Sequence, residues 1–280
     1  MPTEEPIQQI TYRDGYRGNV RFWSGGHHGS VLYFHGIQSH GLWFIQSAQA
    51  LAQAGFNVLL PDRRGSGLNN QARGDIDHYR RWLDDQIELI DWLEKNTGNR
   101  RTNLIGVSWG GKLVMGLSKM IPDQLASLTL VAPGIFPAVD VSPIQKIRIA
   151  QAVILRSKRS FPIPLDSPEL FTGNPDRQAF IRNDPLKLTH VTGNFLYQSR
   201  RLDRYVRTIP PRLTMPVKLF LAGQEKIIDN NKTMNYFRAL RTAGPKELAF
   251  YPQDCHTLEF EQDNRKFLDD LLEWIDHAAN

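Results

Sequence analysis

Ser108 lies in the stretch NLIGVSWGGKL (residues 103–113), where two chemistries compete for the same glycines. Gly106, Gly111 and Lys112 fit G-x-x-x-x-G-K, the start of a loop that cradles phosphates, while Gly106, Ser108 and Gly110 fit G-x-S-x-G, a turn that presents a nucleophilic serine. A phosphate loop needs Ser or Thr after the lysine to hold Mg²⁺, and Leu113 stands there. Such a loop also usually follows an early strand, whereas several strand-like runs precede this one. The serine turn demands a strand, small neighbours and then a helix, because the serine backbone is strained and its Oγ must stand clear of the sheet. All three are present: TNLI reads as the strand, Gly106, Gly110 and Gly111 are small, and a helix runs from Lys112 to Lys119 with Leu113, Val114 and Leu117 inward.

A serine hydroxyl is a poor nucleophile until a base takes its proton, so a histidine and an orienting carboxylate should follow in the order Ser, acid, His. LAGQEKIIDN places Glu225 and Asp229 just beyond one strand-like run, and YPQDCHTLEF places His256 in the loop after the next. Eight histidines form no Cys/His cluster and no H-E-x-x-H spacing, so neither a metal nor any other cofactor is expected.

The elements that must position these residues are legible as short apolar runs alternating with helical patterns, the rhythm of a mostly parallel sheet wrapped by helices. VLYFHG (31–36), NVLLPD (57–62), TNLIGVS (102–108), LTLVAPG (128–134) and VKLFLAG (217–223) read as buried strands, with KELAFYP (246–252) near the sheet edge. Leu83, Ile87, Ile90 and Leu93 recur at helical spacing, so residues 78–95 read as an amphipathic helix that Gly98 ends. ITYRDGYRGNVRFWSG alternates around Asp14-Gly15, a hairpin signal that gives the sheet an antiparallel start. The interval from residue 135 to 212 breaks the rhythm: it is rich in Pro and Arg, has helix-like pieces and offers no clear buried strand. It reads as a cap inserted into a core made of residues 1–134 and 213–280. That interval also carries 13 Lys/Arg against 6 Asp/Glu, more than the whole chain's net charge of +5, so the rest is slightly acidic. One cysteine excludes an internal disulfide, the acidic N-terminal stretch has no hydrophobic h-region, and no run of 18 apolar residues occurs; the expectation is a cytoplasmic protein.

Taken in order, HGIQSHG, DRRGSG, GVSWGG, LAGQEKIIDN and CHTLEFE resemble the landmarks of the α/β-hydrolase fold, and within it the monoglyceride lipase, lysophospholipase and serine-aminopeptidase-like group. FTGNPDRQAFIRNDPL (171–186) resembles that group's cap segment, so the similarity extends over nearly the whole chain. The resemblance implies that Ser108 attacks a substrate carbonyl, that His256 serves as base and then acid, and that the backbone N–H groups of Ile37 and Trp109 form the oxyanion hole. It also places an acid where Glu225 stands, although the group usually has Asp there; the longer side chain moves the carboxylate outward, and Asp229 is the alternative. His35 and His40 are expected to fix their loop by hydrogen bonds. Asp62 is expected to brace the DRRGSG turn, with Arg64 as its partner or a plain surface residue.

SPIQKIRIAQAVILRSKRS (142–160) reads as a basic amphipathic helix, able to pack its apolar face on the core or to rest on an anionic membrane. The arginines of QSRRLDRYVR are expected to form ion pairs around Asp203, and no nucleic-acid partner is expected. An enzyme acting on small acyl esters wants an apolar channel and tolerates a basic cap, with peripheral lipid contact through that cap as a further expectation. Two alternatives stay open: an aminopeptidase of the proline iminopeptidase type, which needs carboxylates to grip a free α-amine, and a non-catalytic binding protein on the same scaffold.

Overall fold

The computed structural model describes residues 6–208 and 213–279. The chain opens with strands β1 (Ile7–Thr11) and β2 (Arg17–Trp23), which pair antiparallel through the Asp14-Gly15 turn, where Gly15 takes a left-handed φ of 81°. There follow β3 (Ser30–Phe34), α1 (Ile45–Gln53), β4 (Asn57–Pro61), α2 (Tyr79–Thr97), β5 (Thr102–Val107), α3 (Gly110–Met120) and β6 (Leu125–Val131). After β6 come α4 (Pro143–Ile154), β7 (Ser160–Pro162), α5 (Pro175–Asn183), β8 (His190–Thr192) and α6 (Gly193–Arg207). The main sheet then resumes with β9 (Val217–Ala222), α7 (Asn230–Ala239), β10 (Lys246–Tyr251) and α8 (Arg265–Ala279).

Eight strands form one sheet in the order β1-β2-β4-β3-β5-β6-β9-β10, antiparallel at the hairpin and parallel from β4 onward. Every residue of β3, β4, β5 and β9 is buried, which is why each reads as an unbroken apolar run: both faces of a parallel sheet are covered. Helices α1 and α8 pack together on one face, α2 and α3 on the other. β10 lies at the edge and leaves Leu248 and Phe250 half exposed.

Several boundaries move by a few residues for local reasons. His78 is the N-cap of α2 rather than its first residue, its Nδ1 accepting from the Arg80 N–H, and Gly98 closes the helix with a φ of 76°. α3 begins at Gly110, immediately behind the serine turn. Between β6 and β9 the two three-residue strands β7 and β8 form a separate antiparallel ribbon too short to show as a buried run.

One expectation about that interval is overturned. Most of the apolar residues of 142–160 do not pack on the core: the helix stops at Ile154, Ala152 alone is buried within it, Ile149 and Val153 are half-buried, and Ile144, Ile147, Ile154 and Leu155 are 62 to 79% exposed. Packing α4 against α6 uses its small side only, since Gly193 approaches Ala152 closely. The arginines of α6 also differ from the ion-pair expectation. Arg200 lies 3.9 Å from Asp203, but Arg201 stacks near Tyr79 and Tyr197, and Arg207 donates to the Ile135 carbonyl while covering Phe136.

Candidate active site

Ser108 sits at the tight junction between β5 and α3 with a φ of 52°, a left-handed conformation that a residue with a Cβ adopts only when its surroundings impose it. Two glycines allow the junction to close. A methyl group on Gly106 would come within 2.6 Å of Val114 Cγ2, and one on Gly110 within 2.5 Å of the Phe34 carbonyl oxygen. The Ser108 carbonyl is held by the N–H groups of Gly111 and Gly134, at 3.0 and 2.6 Å, so the turn is clamped from both sides. The side chain remains at the surface of a cavity of about 570 Å³, between the sheet and helices α4 and α6.

Glu225 follows β9 and His256 follows β10, and the adjacency of those parallel strands brings the two loops together. The His256 Nδ1 and Glu225 Oε2 atoms are 2.7 Å apart, both side chains almost wholly buried. Glu225 Oε1 accepts from the N–H groups of Ile227 at 2.7 Å and Ile228 at 3.2 Å. Burial alone would raise this carboxyl's pKa, but the facing imidazole and the two backbone donors outweigh it and hold the group below its ordinary value. His256 Nε2 is buried without a hydrogen-bond partner among the described residues, the nitrogen a base would offer to a serine hydroxyl. Asp229 is elsewhere engaged: it caps α7, accepting from the Lys232 N–H, and pairs with the Lys232 ammonium at 2.7 Å.

The loop after β3 lies against the serine turn, since a methyl on Gly36 would be 3.4 Å from Ser108 Cβ. Ile37 and Trp109 both line the cavity beside Ser108. His35 is fully buried and its tautomer is set on both sides: Nε2 accepts from the Arg63 N–H at 2.9 Å, so Nδ1 carries the proton and donates to the Gly36 carbonyl at 2.8 Å. Burial, with the charge of Arg63 next, pushes its pKa well down and keeps it neutral. His40 contacts Asp184 at 2.9 Å, and Trp43 donates to the same carboxylate, tying this loop to the end of α5. Asp62 braces its turn as expected, accepting from the N–H groups of Gly41 and Leu68. Its cationic partner is Arg21 at 3.2 Å, whereas Arg64 forms a two-pronged bond to Asp85 and a contact with Asp14, so neither role expected for Arg64 holds.

Arg63 is the residue that sequence reasoning passed over. It is buried, donates to the carbonyls of both Gly36 and Ile37 at 2.9 Å, and lies over the Trp109 ring at 4.6 Å. Burial lowers its pKa to about 9, so it remains cationic at neutral pH. The only signal available in the sequence was the first arginine of DRRGSG, indistinguishable there from its neighbour.

The cavity wall is mostly apolar, with Val139, Ile149, Val153, Leu165, Leu196 and Ile228 among its residues. Its carboxylates are Asp140 and Asp203, and each has a cation at 2.6 Å: Lys146 for the first, Lys112 for the second. Lys112 also donates to Ser199 Oγ, which accepts from the Trp109 indole N–H as well.

Over its whole length the chain is 21% identical to the monoglyceride lipase of Rattus norvegicus, the match covering 99% of this chain and 93% of that protein. It is 27% identical to epoxide hydrolase A of Mycobacterium tuberculosis, over 51% of this chain and 44% of that protein, so the chain spans less than half of that relative. Among solved structures, a soluble variant of the Saccharomyces cerevisiae monoglyceride lipase in complex with a substrate analogue superimposes with a TM-score of 0.85 at 19% identity, covering 100% of this chain and 97% of that one. The monoacylglycerol lipase of Paleococcus ferrophilus gives 0.82 at 19% identity, covering 93% and 99%. These likenesses establish the α/β-hydrolase fold. The model of the family described as serine aminopeptidase, S33 matches residues 25–263, a span that takes in the serine turn, the Glu225–His256 pair and all of the interval between them, and to that family the chain belongs.

Proposed function

We propose that the chain is a carboxylic-ester hydrolase that cleaves acyl esters of the monoacylglycerol or lysophospholipid kind through an acyl-enzyme. In this reading residues 1–134 and 213–280 are the catalytic core and residues 135–212 the cap. Ser108 Oγ attacks the acyl carbonyl while His256 Nε2 takes its proton, and Glu225 holds the imidazole in the tautomer that leaves Nε2 free. The N–H groups of Ile37 and Trp109 meet the oxygen on which charge develops. Collapse of the adduct breaks the bond to the alcohol, which leaves with the proton from His256. Water then attacks the acyl-serine by the same route, and no cofactor is required.

The observation that carries the substrate class is the character of the cavity. Its wall is apolar, and the two carboxylates in it are each neutralised by a lysine at 2.6 Å, which leaves neither free to grip the α-amine of a peptide. The monoglyceride lipases among the relatives support the same choice. The test is a panel of p-nitrophenyl esters of rising acyl length, monoacylglycerols and lysophospholipids set beside aminoacyl anilides, with Ser108→Ala as control. Medium or long acyl esters should be the better substrates, and Ser108→Ala should lose at least about 10³-fold in kcat. A preference for the anilides would replace the esterase by an aminopeptidase, and failure of Ser108 to react with a fluorophosphonate would favour a non-catalytic binding protein.

The same reading gives α4 a role in lipid contact. Ile144, Ile147, Ile154 and Leu155 project to solvent beside Arg148, Arg156 and Arg159, and Ile154 also borders the cavity, so a substrate leaving an anionic lipid surface would enter there. Co-sedimentation with vesicles containing anionic phospholipid should be strong for the wild type and weak for Ile144→Asp/Ile147→Asp, two exposed positions outside the cavity, with hydrolysis of a water-soluble short ester unchanged. Equal sedimentation of the two proteins would remove this role.

A further inference from the structure

A buried guanidinium without a carboxylate is costly, and Arg63 has no ion-pair partner among the described residues. Its position identifies what it works on. Nη1 donates to the Gly36 carbonyl and Nη2 to the Ile37 carbonyl, each at 2.9 Å, so the planar fork is spent on two successive peptide groups. The first of these peptides is the one whose N–H belongs to Ile37. A trans peptide is planar with its C=O and N–H pointing opposite ways, so fixing the Gly36 oxygen against Arg63 and His35 aims the Ile37 N–H to the other side. A carbonyl hydrogen-bonded to a cation also polarises its own peptide, which strengthens the N–H as a donor. The other face of the guanidinium lies on the indole of Trp109, which Ser199 Oγ fixes through the indole N–H.

We propose that Arg63 is a positioning residue for the oxyanion hole, one buried cation that orients and polarises the Ile37 donor while seating Trp109, the residue that supplies the second. The inference rests on the reading of Ser108 as nucleophile and of those two N–H groups as donors. When the serine oxygen bonds to the substrate carbon, the carbonyl π pair moves onto oxygen and the serine proton passes to His256; the charge that appears on oxygen is what the cation favours, so its effect falls on the transition state and not on bound substrate.

Arg63→Met keeps much of the volume and removes the charge and both bonds. It should lower kcat by about 10- to 100-fold with KM within about twofold. Affinity for an acyl trifluoromethyl ketone, which adds to serine and forms the alkoxide, should fall in parallel, while affinity for the unreactive ether analogue of the substrate stays level. Arg63→Lys, which retains charge but not the fork, should fall between. Unchanged kcat in Arg63→Met overturns the inference, and so does an equal loss of ketone and ether affinity, which marks a packing role only. Should Arg63→Met fail to fold, Arg63→Lys decides by the same ratio: a loss of ketone affinity without loss of ether affinity supports the inference, and a wild-type ratio ends it. Ser108→Ala separates the layers, because full activity in that variant sinks the underlying reading, whereas its inactivity beside an unaffected Arg63→Met sinks only this one.

Discussion

A glutamate stands where this family resemblance leads one to expect an aspartate, and the extra methylene should carry the carboxylate too far out. The backbone corrects the reach. The N–H groups of Ile227 and Ile228 take one oxygen and fold the side chain back, which leaves the other at 2.7 Å from His256 Nδ1. Glu225→Gln keeps the shape but loses the charge that stabilises an imidazolium, and kcat should fall by about 10²- to 10⁴-fold. Because the carboxyl is held below its ordinary range, it is already ionised at neutral pH, and raising the pH should not restore the variant or improve the wild type through this group. Asp229→Asn should leave kcat within about twofold, since asparagine caps a helix as well as aspartate does. A pH–rate series on both variants checks this, and the reverse order of effects would move the acid role to Asp229.

At the scale of elements, the loop that holds His256 is fastened to α1 by a second buried glutamate. Glu259, in the short helical turn Leu258–Phe260, accepts from both the N–H and the hydroxyl of Ser47 in the first turn of α1. Burial outweighs these donors and raises its pKa from 4.5 to about 7. A raised pKa in the folded state means that the protonated form is preferred there, so the stability it contributes is whole below about 4.5 and lost as pH rises through about 7. The loss amounts to roughly 3 kcal/mol for such a shift. Glu259→Gln keeps the bond accepted from the Ser47 N–H and replaces the other by an amide N–H donating to the Ser47 hydroxyl, with no charge to bury; its melting temperature should match wild type near pH 4.5 and exceed it above pH 7. Melting curves across that range check the sign, and a constant offset would rule out ionisation of Glu259 as the cause.

For the whole molecule, the question is what holds α6 against α3. Lys112 in α3 and Asp203 in α6 form a buried pair at 2.6 Å between the two helices. Burial lowers the lysine's pKa and Asp203 pulls it back up, so neither charge is tolerable alone. Asp203→Ala should therefore destabilise by roughly 3–5 kcal/mol, while Lys112→Met/Asp203→Leu should recover most of it, because an apolar pair of similar volume avoids the desolvation cost. Denaturant melts of the single and double variants measure this, and additive losses would show that the pair is not coupled.

Local chemistry in the sequence reached a long way. Strands buried on both faces announce themselves as apolar runs, a glycine-flanked serine between a strand and a helix has few other readings, and chain order brought Glu225 and His256 into view as partners. Those features depend on neighbours within a few residues or on the regular alternation of strand and helix. What the tertiary structure alone decided depends on groups distant in the chain: that Glu225 and not Asp229 meets the histidine, that Arg64 serves Asp85 while Arg63 turns inward under Trp109, that Lys112 is paired with Asp203, and that Ile144, Ile147 and Ile154 of α4 face solvent. In each case a charged or apolar side chain had several satisfactory local uses, and only the three-dimensional packing of the elements settled which partner lay within about 3 Å, the range over which a hydrogen bond forms.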